Sequence, residues 1–233
     1  GENHYIMTTT TGGAANVLGK LEDYLQTEWP ELDVYLTSVT DHYATASLCG
    51  PNSKKILKKI IPDLDLSDEN FPHMSFKEAN IGNIQCRIMR ISFTGEQSYE
   101  INVQASYGKH LWEKCIEAGK EFNITPYGTE TMHLLRAEKG FIIVGQDTDG
   151  TMTPVDLQMN WIVSKKKYDF IGKRSLYRSD TMREDRKQLV GLLTDDPNVV
   201  LEEGAQIVSE LNKSPVEMLG HVTSSYFSPN LKK

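Results

Sequence analysis

Glu100 is an acid inside a run typical of a β-strand, Tyr99-Glu100-Ile101, which directly follows a glycine-containing turn. A carboxylate among apolar strand residues must face water or have a polar partner, because burying an unpaired charge is unfavourable. Such a carboxylate can also accept paired N–H donors from a planar heterocycle, with the strength of charge-assisted hydrogen bonds. The pattern leaves both interpretations open, a solvent-exposed acid and a ligand-binding one.

Two further sites contain residues that could contact a ligand. Arg136 and Glu138 end a predicted helix that leads into an apolar run. Their pattern fits an ion pair that fixes this corner, which is a common structural feature, and it also fits a ligand contact. Trp161 lies in an apolar stretch, residues 159–163, where a core position is the default and a stacking wall for an aromatic ligand is the alternative.

The run Thr11-Gly12-Gly13-Ala14 precedes a predicted helix and could offer free backbone N–H groups to an anion. It lacks the GxGxxG spacing of nucleotide-binding loops, so a tight strand-to-helix turn is the favoured interpretation, with which an anion site is compatible. The chain has no HExxH motif, GxSxG elbow or Walker loop. We therefore expect no metal site.

The composition argues against several classes of protein. A net charge of −7 with 24% charged residues of both signs disfavours nucleic-acid binding, which needs clustered Lys and Arg. The basic run Lys165-Lys166-Lys167 predicts a solvated turn. Cys49, Cys86 and Cys115 are odd in number and widely spaced, which favours a reducing cytosol over a disulfide framework. With no apolar run of about 20 residues, the protein is expected to be soluble and cytoplasmic.

Hydrophobic periodicity predicts mixed secondary structure in the amino-terminal half. The predicted elements are a strand at 5–11, a helix at 14–25 stopped by Pro30, a hairpin of strands 34–40 and 43–49, and a helix at 53–61. Strands at 84–91 and 99–103 follow, joined by a turn at 94–98, and then a helix at 111–119. This order indicates an α+β fold with an antiparallel sheet and helices on one side. The strand at the very start suggests a chain that begins within a domain.

The carboxy-terminal half is predicted to contain a helix and then a small β domain. The helix covers 129–139, with Thr129 as N-cap and Gly140 after its end, and a buried strand at 141–144 follows. The polar stretch 173–187 is a candidate linker. Short strand-like runs come after it at 188–193, 206–209 and 218–224.

Three ordered motifs resemble one family. The run from Ser92 to Ile101 resembles GYTGE-x-G-x-E-I, residues 135–140 resemble LRxExG, and residues 145–149 followed by Thr153-Pro154 resemble GNDID…TP. These are motifs of the aminomethyltransferase family, the T protein of glycine cleavage. The resemblance implies antiparallel sheets with ferredoxin-like helix packing plus the start of a β-barrel domain. It places an aminomethyltransferase-like folate-binding domain at 1–180 and a partial β domain at 185–233.

Residues 7–14 and 127–133 resemble more closely the oxidase branch of this family, the alpha subunits of heterotetrameric sarcosine oxidases. That resemblance implies a one-carbon function. A flavin on another subunit would oxidise the N-methyl group of sarcosine, and tetrahydrofolate would capture the carbon as 5,10-methylenetetrahydrofolate. The implied partners are the flavin-carrying subunits, and FAD and NAD would bind other parts of the enzyme. The chain alone is expected to be inactive.

The resemblance also assigns site residues. Glu100 matches the acid that holds the pterin, Trp161 matches an aromatic residue of the folate site, and Thr8 lies where folate is contacted after the first strand. Tyr99 and Arg136 complete the predicted folate-binding set, and no metal ligand is implied. The catalytic Asp of the family would precede the first residue, so no catalytic residue is predicted here.

One departure from the family separates the alternatives. Met132 stands where the T protein has the Arg of an ARD motif, which favours the oxidase branch over glycine cleavage. The alternatives are an aminomethyltransferase, a dimethylglycine dehydrogenase-like protein, or a non-catalytic folate-binding module. The iron-sulfur assembly branch carries a Cys in KGCYxGQE, and residues 170–174 contain none. A structural piece without ligand affinity is the last alternative.

Overall fold

The computed structural model describes residues 2–233, which form two compact units. The first unit contains the residues up to Ser92 together with Glu96–Pro126. The second contains Phe93–Gly95 and Tyr127–Lys233. The fold is α+β with antiparallel sheets, as predicted, and neither sheet closes into a barrel.

A four-stranded sheet and three helices make up the first unit. The elements in chain order are α1 (Ala14–Thr27), β1 (Tyr43–Cys49), α2 (Ser53–Ile60), β2 (Phe76–Ile81), β3 (Ile84–Met89), β4 (Ser98–Gln104) and α3 (Gly108–Gly119). The strand order is β1-β4-β3-β2, and every neighbouring pair is antiparallel. Strand β4 is therefore central, with hydrogen-bonded neighbours on both sides.

The core of the first unit lies between one face of this sheet and helices α2 and α3. Because strand side chains alternate between faces, one set of β4 residues is buried against the helices. This set is Tyr99, Ile101 and Val103, all at most 1% exposed. The helices contribute Ile56, Leu57, Leu111 and Cys115 to the same cluster. The alternate residues of β4, Ser98, Glu100 and Asn102, lie on the opposite face of the sheet.

Helices α1, α2 and α3 and strands β1, β3 and β4 confirm the prediction for the first unit. The predicted strand at 5–11 is wrong. Among residues 2–233, this segment pairs with no other strand, and it ends in a 3-10 helix at Thr11–Gly13. The strand at 34–40 is also wrong, so β1 pairs with β4 instead of forming the predicted hairpin. Strand β2 was not predicted.

The second unit contains helix α4 (Thr129–Glu138) and a two-stranded antiparallel sheet of β5 (Gln206–Val208) and β6 (Met218–His221). The helix and both strands confirm predicted elements. No strand forms at 188–193. The helix is followed by Gly140 at φ +71°, a left-handed conformation that glycine adopts without strain, as its predicted position required. The N-cap is Gly128 rather than Thr129.

The buried strand predicted at 141–144 is wrong. Phe141 and Val144 are exposed, and the chain turns at Gly145, where φ is +95°. The backbone N–H of Ile143 donates to the carboxylate of Asp147 at 2.8 Å. A side chain thus takes the hydrogen bond that a neighbouring strand would have supplied, so the segment curls into a loop.

Burial raises the pKa of the Cys86 and Cys115 thiols to about 11, and both cysteines are free. Across residues 2–233, no group of three or more His, Cys, Asp or Glu side chains could hold a metal ion. In the same range, no helix has the length and apolar character needed to cross a bilayer.

Candidate functional site

Glu100 lies in the middle of β4, on the sheet face opposite the helices. Its neighbours along the strand, Tyr99 and Ile101, have fully buried side chains on the helix-facing side. Across the sheet, Glu100 pairs with Ser47 of β1 and Met89 of β3. Directly paired side chains in adjacent strands are close enough to touch, so these two residues flank the carboxylate.

The Glu100 carboxylate is partly buried and has no hydrogen-bond or ion-pair partner among residues 2–233. Burial raises its pKa above the usual value for glutamate, because desolvation penalises the charged form. Arg87, a cation on the same sheet face, donates instead to Glu78 at 2.9 Å. Glu100 therefore retains acceptor capacity that the protein itself does not use.

Tyr99 is positioned on the other side of the sheet from Glu100. Its ring packs against Phe71 at a centroid distance of 5.9 Å, and its hydroxyl accepts a hydrogen bond from Gln97 at 3.4 Å. Burial raises the pKa of Tyr99 above its ordinary value. These contacts anchor β4 to the core directly behind Glu100.

Thr8 is exposed and lies in a segment without regular secondary structure, just before the 3-10 helix at Thr11–Gly13. The tight turn predicted at this point is present. A Cβ atom on Gly13 would lie 2.8 Å from the Oγ1 of Thr10, so the close approach favours glycine there. The turn leads directly into α1, whose first residues are partly or fully exposed.

The first unit also has an open groove of about 660 Å³ between the end of α2, the β2–β3 turn and α3. His110 and Lys114 of α3 line it together with Ile60, Ile81 and Ile84. Glu100 is not among the lining residues. The groove and the acid predicted to bind a ligand are thus separate features of this unit.

In the second unit, Arg136 is 2% exposed and forms a buried ion pair with Asp147 at 2.5 Å. The same guanidinium donates to the backbone carbonyl of Phe141 at 3.0 Å and to the hydroxyl of Ser224 at 2.6 Å. Its Nε is buried and has no hydrogen-bond partner. The predicted ion pair between Arg136 and Glu138 is therefore wrong, because the acid that binds Arg136 is Asp147.

Asp147 accepts hydrogen bonds from four groups, one of which is the ion-paired Arg136. The donors are Arg136, the backbone N–H of Ile143 and the hydroxyls of Thr223 and Ser224, at distances from 2.5 to 2.8 Å. Burial raises the pKa of Asp147, but the hydrogen bonds and the Arg136 charge outweigh it, and the net pKa is lowered. Asp147 is therefore ionised and links the loop after α4 to residues 223–224.

Glu138 does not pair with Arg136. Its carboxylate accepts from the hydroxyl of Ser228 at 2.5 Å and from the side-chain amide of Asn230 at 3.1 and 3.2 Å. The two charged residues at the end of α4 thus tie the helix to different parts of the carboxy-terminal segment.

A second ion pair, between the buried Asp156 and the partly buried Arg186, had not been predicted. Arg186 donates to both oxygens of Asp156, at 2.9 and 2.7 Å. Asp156 also accepts from the backbone N–H and the hydroxyl of Thr153. These hydrogen bonds lower the pKa of Asp156 to about 2, with the largest effect from Arg186. The T-x-x-D spacing, which resembles a capping box, was a signal that could have identified Asp156.

Trp161 is in a short 3-10 helix at Asn160–Ile162 and is 79% exposed. The prediction that it belongs to the core is therefore wrong. An indole exposed to this extent is open to stacking, which was the alternative interpretation.

The predicted folate residues are divided between the units. Thr8, Tyr99 and Glu100 belong to the first, and Arg136 and Trp161 belong to the second. Glu100 and Tyr99 are adjacent on one strand but point to opposite faces. Of the five, Glu100 combines partial burial with an unpartnered charge.

Two family models match the chain. The GCVT N-terminal domain matches residues 1–167, and the glycine cleavage T-protein C-terminal barrel domain matches residues 187–233. Together they cover nearly all of the sequence.

Similar curated proteins fall into two groups. Sarcosine oxidase subunit alpha of Corynebacterium sp. (strain P-1) is 55% identical over 99% of this chain, and that of Rhizobium meliloti (strain 1021) is 42% identical over 99%. The chain spans about a quarter of these relatives, 24% and 23% of their lengths. The aminomethyltransferase of Thermoanaerobacter sp. (strain X514) is 33% identical over 86% of the chain and 52% of its own length.

Proposed function

Because the chain belongs to the glycine cleavage T-protein (GCVT) family, we propose that it is the folate-binding region of a sarcosine oxidase alpha subunit. Tetrahydrofolate bound here receives the one-carbon unit released when the N-methyl group of sarcosine is oxidised. The product is 5,10-methylenetetrahydrofolate. Identity of 42–55% to sarcosine oxidase alpha subunits over 99% of the chain supports this branch of the family.

The observation that carries the proposal is the unused acceptor capacity of Glu100. A pterin ring presents adjacent N–H donors in one plane, and a carboxylate accepts such a pair with two charge-assisted hydrogen bonds. In the protein alone, Glu100 is partly desolvated and unpaired, which is unfavourable for the folded state. A ligand that donates to both oxygens offsets this desolvation cost, so ligand binding should stabilise the folded protein.

The other assigned residues have supporting roles in the proposal. Tyr99 anchors β4 behind the acid, and Thr8 of the same unit is exposed and open to a folate contact. The exposed Trp161 belongs to the second unit, and its stacking role is the one that the family resemblance implies. Arg136 is held by Asp147 and its unpartnered Nε is buried, so we assign it a structural role and no direct contact with the ligand. The role proposed for this chain is to bind and orient folate, and no catalytic residue is assigned to it.

Oxidation of sarcosine requires an electron acceptor, which we assign to a flavin on a partner subunit. FAD and NAD are proposed to bind elsewhere in the enzyme. The free thiols of Cys86 and Cys115 are compatible with a reducing cytosol, where we place the protein.

Met132 favours the oxidase over an aminomethyltransferase, because a thioether cannot replace the charged contact of the Arg that the T protein has there. A dimethylglycine dehydrogenase-like protein is the second candidate, since it would share the folate acceptor. Turnover with sarcosine and with dimethylglycine as sole amine distinguishes the two. Higher kcat/KM with dimethylglycine would overturn the sarcosine assignment.

The thermal unfolding midpoint of the intact protein, with and without tetrahydrofolate, tests the proposal. At a ligand concentration of 100 Kd, binding stabilises the folded state by about 2.7 kcal/mol. We expect Glu100→Gln to lose this protection, because the amide places an N–H₂ donor where an acceptor is needed.

Glu78→Gln is the matched control, since Glu78 is an acid on the same sheet face that already pairs with Arg87. It should retain the protection. Full protection in Glu100→Gln, or none in the unmodified protein, would contradict the proposal.

A further inference from the structure

The polar side chains that surround Glu100 on the sheet face are paired with one another. The hydroxyl of Thr45 donates to the Oδ1 of Asn102 at 2.7 Å. The hydroxyls of Ser47 and Ser98 lie 3.4 Å apart and share a hydrogen bond. Ser47 is paired with Glu100 across the sheet, and Ser98 and Asn102 lie two positions from Glu100 on the same strand. Thr45 is paired with Asn102 across the sheet. Four potential donors thus lie around the carboxylate, and none donates to it.

The orientation of the Asn102 amide follows from its acceptors. Its Nδ2 faces the backbone carbonyls of Glu100 and Arg87, at 3.3 and 3.4 Å. Carbonyl oxygens only accept hydrogen bonds, so the N–H₂ end must face them and the oxygen must face Thr45. The short bond from Thr45 to the Asn102 oxygen then stabilises the amide in this orientation.

The Asn102 amide could instead form a hydrogen bond with the Glu100 carboxylate. Asn102 and Glu100 are two residues apart on the same face of one strand, within reach of each other's side chains. The two bonds from Nδ2 to the carbonyls are long, and a bond from an N–H₂ group to a carboxylate would be charge-assisted and stronger. Without Thr45, the amide can turn and donate to Glu100.

We propose that Thr45 is a positioning residue of the folate site, which holds the Asn102 amide so that both Glu100 oxygens remain free for the N–H donors of a pterin ring. This inference rests on the proposed function. It assigns a role to Thr45 of β1 and Asn102 of β4, a hydrogen-bonded pair that lies outside the hydrophobic core.

The charged groups on this face support the same arrangement. Arg87 of β3 and Glu78 of β2 bind each other at 2.9 Å. No side chain of β1 on this face is charged, and Glu100 is the one charged residue of β4 on it. The raised pKa of Glu100, caused by burial alone, agrees with a carboxylate that receives no donor.

Thr45→Val in the intact protein tests the inference, because valine keeps the shape of threonine and removes its hydroxyl. Two quantities are measured. The pKa of Glu100 is followed by infrared titration of the carboxyl band that disappears in Glu100→Gln, and the Kd for tetrahydrofolate is determined by calorimetry. We expect a lower Glu100 pKa, since the freed amide donates to the carboxylate, and a Kd about tenfold weaker, as for one lost hydrogen bond.

Thr45→Ser retains the hydroxyl and should restore both values. An unchanged Glu100 pKa and Kd in Thr45→Val would overturn the inference, as would failure of Thr45→Ser to restore them. If the unmodified protein does not bind tetrahydrofolate, the proposed function fails, while the pKa of Glu100 in Thr45→Val still decides whether Thr45 controls the Asn102 amide.

Discussion

In the first unit, the side chains removed from water are mainly apolar, whereas in the second they are polar or charged. Among residues 2–233, the buried hydrophobic side chains all lie between Leu48 and Cys115. The buried residues of the second unit are Thr94, Arg136, Asp147, Thr153, Asp156 and Ser228. One unit therefore relies on apolar packing and the other on hydrogen-bonded ion pairs.

This difference has consequences for how each unit tolerates substitution. Apolar burial is non-directional and scales with area, so a core accepts small changes of volume at a modest cost in stability. A buried ion pair is stable only while every partner remains, because the loss of one partner leaves an uncompensated charge. Small changes should be far more harmful in the second unit than in the first.

The largest effect is expected for Asp147→Asn. The substitution leaves the buried Arg136 guanidinium without its counter-charge and turns an N–H₂ group toward donors such as the N–H of Ile143. We expect the free energy of unfolding to fall by about 3–5 kcal/mol. Denaturant unfolding measures it, and hydrogen exchange should show the loss in residues 127–233.

Asp149→Asn is the control for this prediction, because Asp149 is exposed and bonds only the nearby Thr151 and its neighbours. A loss below about 1 kcal/mol is expected there. If Asp147→Asn were equally mild, the second unit would not depend on its ion pair.

A smaller effect is expected for Ile88→Val in the first unit. Ile88 is fully buried in the centre of the sheet, and the change removes one methylene without leaving a polar group unpaired. The predicted loss is about 0.5–1.5 kcal/mol by equilibrium unfolding. A loss as large as that of Asp147→Asn would remove the contrast between the units.

Acid should weaken the second unit through Asp156. Its folded pKa of about 2 is below the value of about 3.9 for an unfolded aspartate. The stabilisation is thus complete above about pH 4 and is lost as the pH falls through about 2. Hydrogen exchange between pH 4 and pH 2 should show this loss of stability in the second unit. In Asp156→Asn, the stability of the second unit should no longer depend on pH over this range. Identical profiles for both proteins would argue against it.

The smallest effect on stability is expected for Glu100→Gln without ligand. Because burial raises the folded pKa of this acid, the charged form destabilises the folded protein as the pH rises through that value. The neutral amide should therefore raise the thermal midpoint at pH 7, and the difference should vanish as the pH falls well below the unfolded glutamate pKa of about 4.3. A lower midpoint at pH 7 would show that the Glu100 charge is stabilised by the protein.

Periodic apolar residues predicted the helices and the central strands of the first unit, because these elements bury a regular apolar face. Strand β2 was missed because its helix-facing residues are Lys77, Ala79 and Ile81, of which one is large and apolar. Lys77 places its ammonium group over the ring of Phe71 at 5.6 Å, so a charged residue occupies a position where the pattern requires an apolar one.

The second unit was less predictable, since its contacts connect distant positions. Asp147 binds Arg136, 11 residues away, and Ser224, 77 residues away. The β-branched and apolar run at 141–144 has strand propensity, but the Asp147 carboxylate takes the backbone hydrogen bond of Ile143. The family motifs pointed to Glu100 and Arg136. Only the three-dimensional structure shows that Glu100 is unpaired and that the acid bound by Arg136 is Asp147.

The most direct test of the central claim is an experimental structure of the intact protein with bound 5-formyltetrahydrofolate, a stable form of the reduced folate. We predict a pterin ring on the sheet face beside β4, with two of its N–H groups about 2.7–2.9 Å from the Glu100 oxygens. A pterin ring bound elsewhere, with the Glu100 carboxylate still unpartnered, would contradict it.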